Sequence, residues 1–145
     1  MAVLYVFHQG ANNDGQLWYS SNDDINWQDD IQVQNLAMSG SPSAVAYNGN
    51  LCIFHQGSGD DGQLWYSVLD GSNWAPDTLV QNLAMSGSPS AVLWAGGISV
   101  FHQRGGDNGQ LWYSYFDGTN WGEDTLVSNL GMSGSPGCVT AVPAA

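Results

Sequence analysis

Short hydrophobic runs alternate with turn-forming residues along this chain, and residues 41–82 show the pattern clearly. The runs SPSAVAY, LCIFHQ, QLWYS and DTLVQN are separated by the segments NGN, GSGDDG and VLDGSNW. Runs of β-branched and aromatic residues bounded by Gly, Asn and Asp are typical of antiparallel strands, and Asn-Gly is a hairpin turn signal. No segment keeps the spacing of an amphipathic helix. The pattern therefore predicts an all-β chain with four short strands per unit.

The unit recurs at a constant interval of 47 residues, which is the spacing between His8, His55 and His102. The stretch VQNLAMSGSPSAV appears twice, and a related form, VSNLGMSGSPGCV, follows at the same interval. Four-stranded repeats of about 40–50 residues with periodic Trp and Gly are typical of β-propeller blades. We therefore expect one domain over residues 1–145, a β-propeller with three four-stranded blades. The repeats are 1–47, 48–94 and 95–141.

The two ends of the chain are out of phase with complete blades. The N-terminus, VLYVFHQ, begins in the second strand of a blade, whereas the C-terminal SPGCVTAV is a spare first (inner) strand. Three blades are too few for a ring, because propellers have about four to eight, and an open ring exposes strand edges. We expect a homodimer that closes one six-bladed ring, in which residues 135–142 complete the first blade of the partner chain. A trimer with nine blades is the geometric alternative.

The repeated NLAMSGSPSAV is predicted to cross from the outer strand of one blade to the inner strand of the next. Its Met would pack beneath the crossing, and its Gly, Ser and Pro would form the turn. The loop between the second and third strands should share a face with this crossing. Sequence variation is concentrated in the other turns, such as YNGN against WAGG, while this crossing face is nearly constant. A repeated site is therefore expected on the crossing face.

The acidic composition of the chain excludes several classes of binding partner. One basic residue, Arg104, stands against 13 acidic residues, for a formal net charge of −12. Binding to nucleic acid or anionic lipid depends on Lys and Arg, so we expect no nucleic-acid partner. No apolar run reaches the roughly 20 residues of a membrane span, so no membrane insertion is expected. The N-terminus lacks the features of a signal peptide, so no leader is predicted, and the cellular compartment stays open. Cys52 and Cys138 fall at different positions of the repeat, so no disulfide framework is predicted.

The crossing face carries neutral polar and aromatic residues that suit a sugar. A sugar offers an apolar C–H face to an indole ring and hydroxyl groups to amides, imidazoles and carboxylates. Structural roles for these residues stay open as alternatives. The Trp residues could pack between blades, the His residues could be hydrogen-bonded packing groups, and the Asn residues could cap turns. The carbohydrate-binding candidates are His8, Gln9, Gln16, Trp18, Asn35, His55, Gln56, Gln63, Trp65, Asn82, His102, Gln103, Gln110, Trp112 and Asn129, with Asp14, Asp61 and Asn108 in the adjoining loops.

Catalysis and cofactors have little support in the sequence. A glycosidase needs one particular pair of carboxylates, whereas here the acidic residues recur in each repeat or scatter through variable turns. The Asp- and Gly-rich loops hint at calcium but lack the length and terminal Glu of an EF-hand loop. We expect no enzyme, no cofactor and no metal site.

The third-to-fourth-strand turn, SYFDGTNW at 114–121, resembles the Asp-box hairpin of sialidases and related propellers. That resemblance implies a structural turn away from any active site. It also implies structural roles for the three Trp residues at this position of the repeat, Trp27, Trp74 and Trp121.

The whole array resembles the β-propeller lectins, both the tachylectin type and the small fucose lectins that build six-bladed rings from short subunits. The resemblance implies multivalent sugar binding without catalysis. Fucose lectins place an Arg and a Glu around each sugar, whereas this chain has Arg104 and Glu123 once each, which favours neutral or N-acetylated sugars bound by amides and aromatics. A protein-interaction or structural propeller is the alternative. The near-identity of the copies is also what an engineered or excised piece of a larger propeller would show.

Overall fold

The computed structural model describes residues 2–80 and 83–141, together with all of their side chains except those of residues 128 and 129. Within these ranges the regular structure is β-strand, and no helix is long and apolar enough to span a membrane. The strands are β1 (Leu4–Gln9), β2 (Gln16–Asn22), β3 (Ile31–Tyr47), β4 (Asn50–Gly57), β5 (Leu64–Asp70), β6 (Asn73–Trp74), β7 (Thr78–Leu79), β8 (Met85–Trp94), β9 (Gly97–Arg104), β10 (Gln110–Phe116) and β11 (Thr125–Gly131).

The strands form three antiparallel sheets in chain order, the blades of an all-β propeller. Blade 1 contains β1, β2 and the first part of β3, while blade 2 contains the second part of β3 with β4, β5, β6 and β7. Blade 3 contains β8, β9, β10 and β11. The predicted all-β propeller is confirmed. Among the described residues blade 1 has three strands rather than the four predicted for each blade, and closure of the ring by a second chain stays a prediction.

The long strand β3 is the predicted crossing between blades. Its first part pairs with β2 and its second part with β4, and the pairing with β4 shifts register between Ser39 and Ser43. Asn35 and Gly40 have φ values of 60° and 69°, in the left-handed region that Gly and Asn adopt most readily. A Cβ added to Gly40 would lie 2.6 Å from Ser88 Oγ. Turn geometry therefore accounts for much of the repetition of this stretch.

Each pair of neighbouring blades encloses one hydrophobic cluster. Between blades 1 and 2, Leu17, Val33 and Ile53 are almost fully buried. Met38 in this cluster and Met85 in the next are each 1% exposed, which confirms that the crossing Met packs beneath its turn.

A Trp from each following blade covers an aromatic pair in the preceding blade. Trp74 meets Phe7 edge-on, with ring centroids 6.2 Å apart and an interplanar angle of 87°. Trp121 meets Phe54 in the same way, at 5.8 Å and 87°. Trp74 and Trp121 are thus structural, as expected, whereas Trp27 at the same position of blade 1 is 58% exposed.

Serine side chains join the inner strands of successive blades. Ser41 N donates to Ser88 Oγ at 2.8 Å, and Ser88 N donates to Ser135 Oγ at the same distance. Residues 132–141 therefore lie beside β8 as β8 lies beside β3, although no strand pairs with them among the described residues. Residue 142, the last residue of the predicted exchange strand, lies outside the described ranges.

Candidate functional site

The loops sort onto two faces as the sequence predicted. On the crossing face, the β4–β5 loop, the crossing at 84–87 and the β9–β10 loop line one cavity of about 630 Å³. On the opposite face, the hydroxyl group of Tyr47 donates to the carbonyl oxygens of Gly96 and Asp117, at 3.2 and 3.1 Å. The nearly constant loops are therefore gathered on one face and the variable turns on the other.

A groove of about 460 Å³ lies between blades 1 and 2 on the crossing side. We call it the first groove. Blade 1 contributes the exposed Asn35 and Ala37 from β3, and blade 2 contributes the rest of the wall. Its lining residues are Asn35, Ala37, Gly57, Ser58, Asp61, Trp65, Pro76 and Asp77. The groove thus combines an indole ring, an amide and two carboxylates with no cationic side chain.

The indole ring in this groove is held by a neighbouring carboxylate. Trp65 Nε1 donates to Asp61 Oδ2 at 3.1 Å, and Asp61 Oδ1 accepts from Gln63 N at 2.8 Å. The first repeat has the same arrangement, since Trp18 Nε1 donates to Asp14 Oδ2 at 3.0 Å. Both Trp side chains are partly buried, so part of each ring remains accessible in a fixed orientation.

A second groove lies between blades 2 and 3, and it shares only the repeat positions of Arg104, Glu123 and Asp124 with the first groove. It has a volume of about 650 Å³ and is lined by Tyr66, Thr78, Leu79, Arg104, Trp121, Gly122, Glu123 and Asp124. Arg104 takes the repeat position of Gly57, and Glu123 takes that of Pro76. The guanidinium carbon of Arg104 lies 4.1 Å from the centre of the Trp112 ring, which is a cation–π contact.

Two polar atoms of residues lining the second groove lack a hydrogen-bond partner among the described residues. They are the buried Trp121 Nε1 and Asp124 Oδ2. Buried polar groups are nearly always paired with protein or water, so these two atoms are exceptions to that rule.

The predicted Gln9, Gln56 and Gln103 each bond to the following crossing segment, at Gly40, Gly87 and Gly134. Gln56 Nε2 donates to the carbonyl oxygen of Gly87 at 2.8 Å, and Gln56 Oε1 accepts from Gly62 N at 2.9 Å. Gln9 and Gln103 make the equivalent pairs of bonds. Gln56 and Gln103 are 3% and 2% exposed, so in the single chain these two amides are occupied within the fold.

The predicted His8, His55 and His102 are also bonded internally. His55 Nδ1 lies 2.9 Å from the carbonyl oxygen of Gln56, and Nε2 lies 3.0 Å from Asp77 Oδ1. His102 repeats these contacts with Gln103 and Asp124. Both rings are fully buried. Each His therefore orients an Asp that lines a groove, Asp77 in the first and Asp124 in the second.

His8 makes the same contacts in an exposed setting. Its Nε2 lies 2.9 Å from Asp30 Oδ1, and its side chain is 43% exposed. Hydrogen bonding to the Gln9 carbonyl, followed by hydrogen bonding to Asp30, raises the pKa of His8 above its ordinary value of 6.5, because both acceptors favour the charged ring.

The remaining predicted residues are distributed as follows. Gln16 Oε1 accepts from Gln32 Nε2 at 3.0 Å, while Gln63 and Gln110 are exposed. Trp112 Nε1 donates to Gln110 Oε1 at 3.3 Å. Asn82 lies outside the described residues, and so does the side chain of Asn129.

Sequence reasoning did not group Arg104 and Glu123 with the repeated site, nor did it include Asp77. The available signal was the residue after each FHQ, which is Gly, Gly and then Arg. Within the described ranges, no cluster of three or more His, Cys, Asp or Glu side chains is arranged for a metal ion.

Comparisons with known proteins connect the chain to solved lectin propellers. No protein-family model matches the chain, and no curated protein matches it. A fucose lectin from Kordia zhangzhouensis, solved with methyl-fucoside, is 16% identical with a TM-score of 0.64 over 88% of this chain and 91% of that chain. The fucose-specific lectin from Aleuria aurantia is 17% identical with a TM-score of 0.66 over 88% of this chain and 40% of that one. At these identities the likeness shows a shared fold.

Proposed function

We propose that this protein is a non-catalytic, multivalent carbohydrate-binding propeller whose sites are the grooves between blades. The observation that carries the proposal is the partly buried indole of Trp65, fixed by Asp61 in the first groove beside the exposed Asn35. Stacking of a C–H face on a fixed ring, with hydroxyls bonded to an amide and carboxylates, is the chemistry of neutral sugar recognition. Both solved structures described above are fucose lectins, which supports the same class of ligand.

Within this proposal, the predicted residues have two kinds of role. The exposed Asn35 and the partly buried Trp65 contact the sugar in the first groove. Trp18 and Trp112 stand at the repeat position of Trp65 and have the same role. The buried His and Gln residues hold the loops and orient the Asp side chains. As in the sequence analysis, we expect binding without a metal or other cofactor.

The sugar is neutral or N-acetylated. The first groove contains Asp61 and Asp77 and no cationic side chain, and the chain as a whole has a net charge of −12. An anionic sugar would meet like charges there, which disfavours binding. An N-acetyl group suits the site because it can bond to the Asn35 amide and place its methyl group on the indole.

The test is a glycan array followed by calorimetry with fucose, galactose, N-acetylglucosamine, N-acetylgalactosamine and sialic acid. We expect binding to at least one neutral sugar and none to sialic acid. Trp65→Ala should weaken that binding at least roughly tenfold, since a stacked aromatic ring contributes about 0.5–1.5 kcal/mol beyond its buried area. Ile25→Ala removes an 82% exposed apolar side chain from a turn on the opposite face and is the matched control. Silence across all glycans at high protein concentration would reject the proposal and favour a protein-interaction propeller.

A further inference from the structure

The β4–β5 loop, residues 57–62, separates two open spaces on the crossing face. Its Ser58 and Asp61 line the first groove, towards blade 1. Its Asp60 and Asp61 line the cavity of about 630 Å³ that the loop shares with blade 3, which we call the crossing-face cavity. Asp61 therefore belongs to the wall of both spaces, and the two spaces adjoin at this residue.

The loop between the two spaces is low and is held in place. Its sequence, GSGDDG, has no aromatic or branched aliphatic side chain, and a Cβ added to Gly59 would meet no atom of the described residues within 4 Å. Asp60 N donates to Ser39 Oγ at 3.3 Å, and Gly62 N donates to Gln56 Oε1 at 2.9 Å. An extended ligand can therefore pass over the loop from one space to the other while the loop keeps its conformation.

The crossing-face cavity offers hydrogen-bond acceptors and backbone, in contrast to the first groove with its indole ring. Among the described residues that line the cavity, none is aromatic and none is cationic. Asp60 and Asp107 contribute exposed carboxylates, which accept hydrogen bonds from hydroxyl groups. Four lining residues are glycines, which let a ligand approach the backbone: Gly62, Gly87, Gly105 and Gly106. The cavity therefore suits a polyhydroxylated group that is already anchored elsewhere.

We propose that the first groove and the crossing-face cavity together hold one linear neutral oligosaccharide. One sugar unit stacks on Trp65 in the first groove. The adjoining units cross the β4–β5 loop, and their hydroxyl groups donate to Asp60 and Asp107. The ligand is thus a glycan chain rather than a single terminal sugar. This proposal rests on the proposed function, because it extends the sugar site of the first groove.

The charge of the crossing-face cavity selects a neutral chain. The carboxylates of Asp60, Asp61 and Asp107 line it without a cationic partner among its lining residues, so a uronic acid or a sulfated unit would meet like charges, which disfavours binding. A neutral unit instead brings hydroxyl donors, and a hydrogen bond to an ionised acceptor is stronger than one between neutral groups. Each neutral unit beyond the first should therefore add affinity.

The first test is calorimetry of the parent protein with ligands of increasing length. The probes are methyl glycosides of fucose, galactose, N-acetylglucosamine and N-acetylgalactosamine, together with linear neutral di- and trisaccharides that end in the same sugars. A sugar that binds alone should bind roughly tenfold or more tightly as the trisaccharide, because of the added hydrogen bonds to carboxylates. A gain no larger than the number of sugar units in the ligand would be statistical, and it would overturn this proposal while leaving the proposed function intact. Failure of every probe to bind would overturn both.

The second test removes the carboxylates of the crossing-face cavity. Asp60 and Asp107 have φ values of 51° and 50°, which Gly adopts readily, so Asp60→Gly with Asp107→Gly should keep the loops folded. This double variant should lose the gain from the trisaccharide and keep the monosaccharide affinity of the parent, whereas Trp65→Ala should weaken binding of both ligands. Asp70→Asn removes a negative charge at the exposed end of β5 on the opposite face and is the control, expected to change neither affinity. An unchanged trisaccharide gain in the double variant, or an equal loss of affinity for both ligands, would overturn the proposal.

Discussion

The side-chain amide of Gln56 joins two blades by donating to the carbonyl oxygen of Gly87, 2.8 Å away, while its oxygen accepts from the backbone of Gly62. One side chain thus fixes the β4–β5 loop and the next crossing together. Loop and crossing line the cavity of about 630 Å³ together, so this one residue holds both of its sides in place.

Gln56→Ala should lower the stability of the fold. The change removes the side-chain hydrogen bonds to Gly62 N and Gly87 O, two partly buried residues, and a typical hydrogen bond contributes about 0.5–1.5 kcal/mol. Urea unfolding measures the loss, and the exposed Gln63→Ala is the control, expected to stay within about 0.5 kcal/mol of the parent. If Gln56→Ala keeps full stability and loses sugar binding, Gln56 is a ligand-contacting residue rather than a link between blades.

His8 should titrate above 6.5, and Asp30 should contribute to that shift. A raised pKa in the folded state means that this group stabilises the fold fully below pH 6.5 and loses its contribution as the pH rises through the folded pKa. NMR titration of the His8 ring protons should show the pKa falling in Asp30→Asn. Asp29→Asn removes the same charge one residue away, and an equal fall there would mean that general charge, not the hydrogen bond, sets the value.

Asp117 should stabilise its turn without affecting sugar binding. Its Oδ1 accepts from Asn120 N at 2.7 Å and from Thr119 N at 2.8 Å, and these bonds lower the pKa of the carboxyl group below its ordinary 3.8. A lowered pKa gives stability that is present above pH 3.8 and is lost as the pH falls through the folded value. Asp117→Ala should lower the thermal midpoint at pH 7, and the gap to the parent should narrow in acid. Asp107→Ala, in an exposed crossing-face loop, is the comparison; a sugar-binding defect in Asp117→Ala alone would reverse our assignment of the faces.

Arg104 should make the two grooves of one chain unequal. It occupies the position of Gly57, lines the second groove and lies against Trp112, so the second groove presents a cationic side chain where the first groove has a glycine. Calorimetry should show two classes of site in the parent and a single class after Arg104→Gly. Arg104→Lys keeps the charge and should keep two classes. An isotherm unaffected by Arg104→Gly would place binding outside the second groove.

Each single site should bind a sugar weakly, whereas the whole array of sites should bind a dense glycan surface tightly. A shallow groove that holds one neutral sugar should have a Kd on the order of 1 mM, or about −4 kcal/mol. Several grooves on one face of the molecule can raise avidity by roughly 10²–10⁴. Calorimetry with free monosaccharide should therefore report much weaker binding than surface plasmon resonance on a dense glycan surface. Equal affinities would mean one strong site per molecule.

The sequence by itself determined the strands, the blades and the burial of Met38 and Met85. These features depend on local alternation of hydrophobic and polar residues, on Gly and Asn at left-handed turns, and on a constant repeat length. Each of these patterns is visible in the sequence. The sorting of constant and variable loops onto two faces followed from the same strand order.

Only the tertiary structure decided what the polar residues do. Gln56 and His55 have amide and imidazole groups that suit a sugar and a backbone carbonyl equally well, and the choice depends on which groups the next blade brings within reach. The acceptor of Gln56 lies 31 residues away in sequence. Arg104 and Glu123 likewise line one groove because blade packing, not sequence distance, brings residues of the β9 end and the β10–β11 loop together.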